Sequence, residues 1–290
     1  FIALAGASPA LGNFFLTLWE DFQPARWQSG WETKMSLARR IASVTDLADD
    51  MEFPDVVRQF QRIEGLRIAY LDVVQEMPVE RVTLQISSLA DTLIAACYER
   101  ALRMVARRRG IAPPSGGFAV VALGKLGGME LNYSSDVDLN FVYDETFQGV
   151  NTIDGAPVDD PLALERFFTQ VAERLVQLIT AFTDKGQLYR LDARLRPEGS
   201  TGRLVWSGRA SIDYYYSMGR TWERQALIRM RPVAGEIVLA ERLRRELDAF
   251  VFPPNLSADE VAEIRGLKHQ MEKLAEDRGP SEDQIKIGRG

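Results

Sequence analysis

Residues 124–139 read Gly-Lys-Leu-Gly-Gly-Met-Glu-Leu-Asn-Tyr-Ser-Ser-Asp-Val-Asp-Leu, a glycine-rich segment that ends in two aspartates. Before it, residues 118–123 form a short apolar run that is rich in β-formers. After it, residues 137–143 place apolar residues at alternate positions. Both patterns are typical of β-strands. The sequence therefore predicts two strands joined by a glycine-rich connection.

The two aspartates, Asp136 and Asp138, stand two positions apart at the start of the second predicted strand. Side chains at this spacing project from the same face of a strand, so both carboxylates can converge on one site. Paired carboxylates repel each other unless a cation lies between them, and hard oxygen ligands suit Mg²⁺. An isolated Asp-x-Asp is usually a solvated turn, so the surrounding sequence has to support a metal site.

A third acid, Asp192, lies in a run with three arginines, Arg190, Arg194 and Arg196. On a neighbouring strand these four side chains would share one face. Two interpretations remain open. Asp192 either forms an ordinary salt bridge, or it completes a two-metal site while the arginines bind phosphate oxygens bidentately.

The glycine pair, Gly127 and Gly128, provides a backbone that can approach a phosphate closely. Ser135 and its neighbour Ser134 could donate hydrogen bonds to phosphate, although serine before aspartate is also common in turns. The sequence contains neither a Walker A loop nor a Gly-x-Gly-x-x-Gly dinucleotide fingerprint. On its own, the glycine pair would indicate only a turn.

The rest of the chain divides into three regions. Residues 1–109 are predicted to be mainly helical, residues 110–210 to form an α/β core, and residues 211–290 to be helical again. Within the core we expect a helix from about Pro161 to Thr183, a third strand over Leu188 to Leu195 and a fourth at Leu204 to Trp206. Beyond residue 207 the pattern predicts helices only.

The composition excludes several classes of protein. With 46% hydrophobic and 26% charged residues over 290 positions, the chain is expected to fold. Its net charge of −6 argues against a general nucleic-acid coat. A single cysteine, Cys97, and a single histidine, His269, exclude an internal disulfide and a cysteine-based zinc site, so a cytoplasmic setting is expected. No uncharged apolar run is long enough to predict a membrane span, and the first and last residues suggest a piece of a longer chain.

The order of these elements resembles the DNA polymerase β-like nucleotidyltransferase superfamily: glycine pair, acidic pair opening a strand, and third acid on a later strand. The motifs at 124–139, at 189–197 (Tyr-Arg-Leu-Asp-Ala-Arg-Leu-Arg-Pro) and at 213–227 (Asp-Tyr-Tyr-Tyr-Ser-Met-Gly-Arg-Thr-Trp-Glu-Arg-Gln-Ala-Leu) resemble the bifunctional glutamine synthetase adenylyltransferase/adenylyl-removing enzymes. The resemblance implies an α+β fold, in which a polymerase β-like nucleotidyltransferase core with a small mixed sheet is flanked by N- and C-terminal helical regions.

That family carries two copies of the nucleotidyltransferase domain. Leu131-Asn132 and the run Gly219 to Arg224 resemble the N-terminal copy, which removes AMP from a tyrosine of glutamine synthetase by phosphorolysis and releases ADP. Residues 225–227 are shared with the other copy, which attaches AMP from ATP, so that half-reaction remains the first alternative. A second alternative is a catalytically silent, nucleotidyltransferase-like regulatory module.

The resemblance also implies roles for individual residues. Asp136, Asp138 and Asp192 would be the catalytic metal ligands for Mg²⁺, with Mn²⁺ as a substitute. The residues expected on the nucleotide and phosphate side are Gly127, Gly128, Ser135, Arg194 and Arg196. The implied partners are glutamine synthetase as protein substrate, phosphate, ADP or ATP, and the PII signalling protein through the full-length enzyme; neither nucleic acid nor a membrane is expected.

Overall fold

The computed structural model describes residues 30–158 and 160–277 of the chain. Its helices are α1 (Lys34–Thr45), α2 (Phe53–Val73), α3 (Val79–Arg109), α4 (Gly124–Gly127), α5 (Pro161–Thr180), α6 (Gly208–Met218), α7 (Thr221–Leu227), α8 (Ile237–Glu246), α9 (Asp248–Val251) and α10 (Ala258–Asp277). Its strands are β1 (Ile111–Ala112), β2 (Phe118–Ala122), β3 (Val137–Tyr143), β4 (Asn151–Thr152), β5 (Leu191–Asp192), β6 (Val205–Ser207) and β7 (Arg231–Gly235).

Five of these strands form one mixed sheet around the antiparallel pair β2 and β3. On the far side of β2, β7 pairs antiparallel. On the far side of β3, two short strands pair parallel along the same edge, β5 at its beginning and β6 at its end. The remaining strands, β1 and β4, form a separate antiparallel pair. This arrangement confirms the predicted α+β class with a small mixed sheet and flanking helices.

The sheet is buried on both faces, which explains why β2 is apolar at every position. Val120 belongs to the large core that the sheet shares with α3 and α5. The next residue, Val121, belongs to a second core under α6, α8 and α9. Since successive side chains of a strand point to opposite faces, a continuous apolar run is required to fill both cores.

The helices before residue 110 pack directly on the sheet and on α5. α3 spans 31 residues and is followed by Gly110, whose φ of +66° provides a left-handed C-terminal cap. Arg58 of α2 is fully buried and donates hydrogen bonds to the carbonyl oxygens of Leu178 (3.2 Å) and Gly186 (2.8 Å), and to that of Ala181. Because carbonyl groups at a helix end lack partners within the helix, this arginine ties α2 to the end of α5.

The observed strands differ from the prediction in two places. The strand expected over Leu188 to Leu195 is limited to β5, because the residues after Asp192 turn away into local hydrogen bonds. β7 was not predicted, and it lies beyond residue 210, so the sheet is not confined to the expected core region.

The first residues of the chain, on which the expectation of a longer protein partly rested, lie outside the described residues. In the ranges 30–158 and 160–277, no helix is both long and apolar enough to cross a membrane.

Close packing predicts a strong effect for Gly127→Ala. An added Cβ would lie 2.0 Å from the carbonyl oxygen of Arg229, so the backbone would have to move. We expect a loss of at least about 2 kcal/mol in the free energy of unfolding, measured by urea denaturation. Gly65→Ala in α2 is the matched control, since nothing lies within 4 Å of its added Cβ, and it should be neutral or stabilising by up to about 1 kcal/mol. Equal stability of the two variants would contradict this packing.

Candidate functional site

The register between β3 and β5 brings the predicted acids together. Asp138 is the direct neighbour of Asp192 across this parallel pair, and the amide of Val137 donates to the carbonyl oxygen of Arg190 at 2.9 Å. Asp136 precedes Asp138 by two positions and lies on the same face. The buried side chain of Val137 points into the large core and fixes which face the acids occupy. The three acids predicted from the sequence therefore lie at one end of the sheet.

Ionisation of all three acids at this end of the sheet is unfavourable. Burial raises the pKa of Asp138 to about 6, and the carboxylates of Asp192 and Asp136 add to this effect, with Arg194 opposing it. Like charges at short range disfavour ionisation of the more buried group. A buried carboxylate whose pKa is raised further by two neighbouring carboxylates is suited to attract a cation.

Two arginines neutralise part of this charge from the solvent side. Arg190 donates to an Oδ of Asp136 at 2.6 Å and to the carbonyl oxygen of Ser134 at 2.7 Å. Arg194 donates to both carboxylate oxygens of Asp192, at 2.6–3.0 Å, and these bonds hold the pKa of Asp192 below its usual value. The Arg194 side chain is 73% exposed. Exposed ion pairs contribute only about 0–1 kcal/mol, so either arginine can exchange its carboxylate for another anion at low cost.

Arg196 is placed differently from the other two arginines. Its guanidinium donates to the carbonyl oxygens of Arg203 (2.8 Å), Gly202 (3.0 Å) and Ala193. Burial lowers the pKa of Arg196. Arg196 lies along the cleft, but its described bonds hold the loop between β5 and β6. Its predicted contact with phosphate stays a prediction.

The glycine-rich segment contacts the acids through a residue that the sequence analysis did not single out. Gly124, with φ +54°, lies so close to Asp138 that an added Cβ would be 2.2 Å from Oδ2. A glycine directly after a buried strand was the feature that could have revealed it. Gly127 and Gly128 instead pack against Arg229, and their amides donate within the turn to the carbonyl oxygens of residues 123 and 124.

Ser135 also makes local contacts. Its hydroxyl donates to the side-chain oxygen of Asn132 at 2.5 Å, and the amide of Asn132 donates back to that hydroxyl at 3.3 Å. These bonds close the turn that leads into β3. Phosphate binding by Ser135, Gly127 and Gly128 stays a prediction.

An open cleft of about 680 Å³ runs beside the acids. Asp136 and Asp192 line it together with Arg190, Arg194 and Arg196. α5 also lines it, through Glu173 and Gln177, which the sequence did not single out. The cleft combines carboxylates with guanidinium groups, the chemistry needed to bind a metal–phosphate complex.

The donor set fits a divalent cation, but the acids are not grouped as ligands in the described conformation. Within residues 30–158 and 160–277, no three acidic, histidine or cysteine side chains stand close enough together to hold a metal ion. Asp136 and Asp192 are each hydrogen-bonded to an arginine instead. Because both arginine side chains are exposed, side-chain rotation could turn both carboxylates toward Asp138. Asp136, Asp138 and Asp192 are thus the residues that could hold Mg²⁺ or Mn²⁺.

Similarity to known proteins extends over most of the chain. A family model described as glutamate-ammonia ligase adenylyltransferase matches residues 12–246. A bifunctional glutamine synthetase adenylyltransferase/adenylyl-removing enzyme of Methylococcus capsulatus is 35% identical over 249 residues, which cover 83% of this chain and 26% of that protein. An enzyme of the same description from Rhodopseudomonas palustris is 32% identical over 266 residues, or 88% of this chain and 26% of that protein. The chain spans about a quarter of the length of these relatives.

The raised pKa of Asp138 predicts an unusual effect of Asp138→Asn on stability. An acid whose pKa is higher in the folded state contributes stability at low pH and loses it as the pH rises through the folded pKa, here about 6. Without added metal, the variant should therefore match the native chain below pH 4 and exceed it by about 2 kcal/mol at pH 8. Urea denaturation across this pH range measures the difference.

Asp144→Asn is the control at the other end of β3. Burial opposes ionisation there, but hydrogen bonds from Thr146 and Arg242 hold the pKa of Asp144 below its usual value. This variant should lose stability above pH 4 instead of gaining it. If both variants behave alike, the electrostatic description of the acid site is wrong.

Proposed function

Because the chain belongs to the glutamate-ammonia ligase adenylyltransferase family, we propose that it is a nucleotidyltransferase unit that removes AMP from an adenylylated tyrosine of glutamine synthetase. The acceptor is phosphate and the product is ADP. The relatives are named for both adenylylation and adenylyl removal, and this chain spans about a quarter of their length. The motif resemblance at residues 131–132 and 219–224 favours removal.

One observation carries the chemical part of the proposal. Asp138 faces Asp192 across β3 and β5, with two exposed arginines beside them in a cleft. Phosphoryl and nucleotidyl transfer need little covalent participation by the protein, and depend on positioning and on stabilisation of negative charge. A carboxylate group next to exchangeable guanidinium groups meets both needs.

Asp136, Asp138 and Asp192 are the residues that would hold Mg²⁺ or Mn²⁺. When bound, such an ion polarises phosphate oxygens and stabilises the charge that builds up on them during transfer. The carboxylates supply hard oxygen ligands, and the burial of Asp138 restricts access of water around it.

In the proposed reaction, an oxygen of inorganic phosphate forms a bond to the phosphorus of the tyrosine-linked AMP. The bond from that phosphorus to the tyrosine oxygen breaks, and its electron pair stays on that oxygen, which takes up a proton. Arg194 is suited to orient the incoming phosphate, because it is exposed and its bond to Asp192 is easily exchanged. Arg190 can do the same on the side of Asp136.

The other implied partners follow from this activity. Phosphate and ADP would occupy the cleft, glutamine synthetase would approach from its open side, and control by the PII signalling protein would require the full-length enzyme. A cytoplasmic setting is consistent with such partners. Each of these stays a prediction.

Two parallel reactions test the proposed direction. The first supplies the chain with adenylylated glutamine synthetase and phosphate, and the second with unmodified glutamine synthetase and ATP, both with Mg²⁺. We expect ADP release in the first and no AMP incorporation in the second. AMP incorporation in the second reaction alone would show that this unit adds AMP.

Variants distinguish an active unit from a silent regulatory one. Asp136→Asn combined with Asp138→Asn should abolish turnover while the circular dichroism spectrum is retained, because the carboxylates are needed to bind the metal. Asp213→Asn is the matched control, since its carboxylate is exposed on α6 and pairs with Arg209 outside the cleft. Unchanged turnover of the double variant would exclude the acid site as the place of reaction.

A further inference from the structure

A buried carboxylate outside the cleft connects the helical region to the glycine-rich segment. Asp91, in the middle of α3, is completely buried. Arg231, the first residue of β7, donates to its two carboxylate oxygens at 2.8 and 2.9 Å. Lys34 of α1 adds a bond of 2.7 Å. A buried carboxylate requires such partners, because an unpaired charge in the interior is strongly destabilising.

The same guanidinium also binds the turn that precedes the acids. Arg231 donates to the carbonyl oxygens of Leu126 (2.9 Å) and Gly127 (3.2 Å), at the end of α4. Its planar fork of donors can serve two carboxylate oxygens and two carbonyl oxygens at once, which a lysine cannot do. Asp91 therefore fixes the orientation of Arg231, and Arg231 fixes the end of α4.

α4 in turn lies against the acid site. Its first residue, Gly124, is in close contact with the carboxylate of Asp138. A second link from α3 holds the segment after α4, since the amide of Leu131 donates to the buried hydroxyl of Ser87 at 3.0 Å. A shift of the α4 turn would consequently be transmitted to Asp138.

We propose that Asp91 and Arg231 act as positioning residues for the nucleotidyl transfer, by holding the α4 turn at the distance from Asp138 that the reaction needs. This inference rests on the proposed function. Neither residue lines the cleft, so neither is expected to touch substrate. Neither residue was predicted from the sequence, since the apolar periodicity of α3 does not single out Asp91, and Arg231 lies in a strand that was not predicted.

The test separates positioning from simple stability. Asp91→Asn keeps the shape of the side chain and weakens its hold on Arg231. We expect kcat to fall roughly 10- to 100-fold, because small misplacements of reacting groups have effects of this size, and KM for the protein substrate to change less than about twofold. Arg231→Lys keeps the charge but can reach fewer acceptors, so its kcat should lie between that of Asp91→Asn and that of Arg231→Gln.

A double variant, Asp91→Leu with Arg231→Met, removes both charges. Replacing a buried ion pair by apolar residues of similar size often restores stability, but the carbonyl oxygens of Leu126 and Gly127 would still lack their donor. We expect this double variant to be almost as thermally stable as the native chain, while its kcat remains low. Recovery of kcat together with stability would mean that the pair matters only for folding.

Glu64→Gln is the matched control, because Glu64 is another buried carboxylate of the helical region, with Arg67 at 2.8 Å and Arg40 as partners. It makes no described contact with α4, so kcat of the folded variant should be unchanged.

Hydrogen–deuterium exchange gives a readout that does not need activity. Exchange of amides 127–131 should accelerate in Asp91→Asn and not in Glu64→Gln.

The outcomes distinguish this inference from the proposed function. If the native chain turns over neither form of glutamine synthetase, the proposed function fails, while faster exchange at residues 127–131 in Asp91→Asn would still support the mechanical link. If the native chain is active, and Asp91→Asn and Arg231→Gln match it in kcat and in the exchange of amides 127–131, then Asp91 and Arg231 do not position the turn.

Discussion

The pairing of β3 with β5 is the constraint on which the site depends. This short parallel contact places Asp138 beside Asp192, although the two carboxylates repel each other. A shift of one residue in its register would turn the acids into the core and the apolar residues into the cleft. Burial of Val137 on the opposite face prevents that shift, so hydrophobic packing holds in place an electrostatic arrangement that would not form by itself.

The remaining structure supports this arrangement from two sides. From the solvent, the exposed Arg190 and Arg194 reduce the repulsion through ion pairs with Asp136 and Asp192. From the interior, α3 holds the glycine-rich segment directly through Ser87 and indirectly through Asp91 and Arg231, and Arg58 anchors α2 to the end of α5. The helices before residue 110 are thus part of the support of the site, and the boundary between helical region and core is not a boundary in packing.

The sequence allowed much of the site to be predicted, for identifiable reasons. β2 was predicted because burial on both faces demands an uninterrupted apolar run, and β3 was predicted because its apolar residues alternate. The spacing of the acids followed from strand geometry. β7 escaped prediction because its residues Pro232, Ala234 and Gly235 are poor strand formers, and only pairing with β2 makes them a strand. The bonds of Arg196 to backbone carbonyls could not be foreseen either, since they depend on how the loop after β5 folds back.

Metal binding is the most direct test of the central claim, which is that the three carboxylates form one cation site. Mn²⁺ can be titrated into the metal-free chain and followed by electron paramagnetic resonance, with no substrate present. The account predicts saturable binding to the native chain that is lost in Asp138→Asn and retained in Asp144→Asn. Equal binding by the native chain and Asp138→Asn would contradict it.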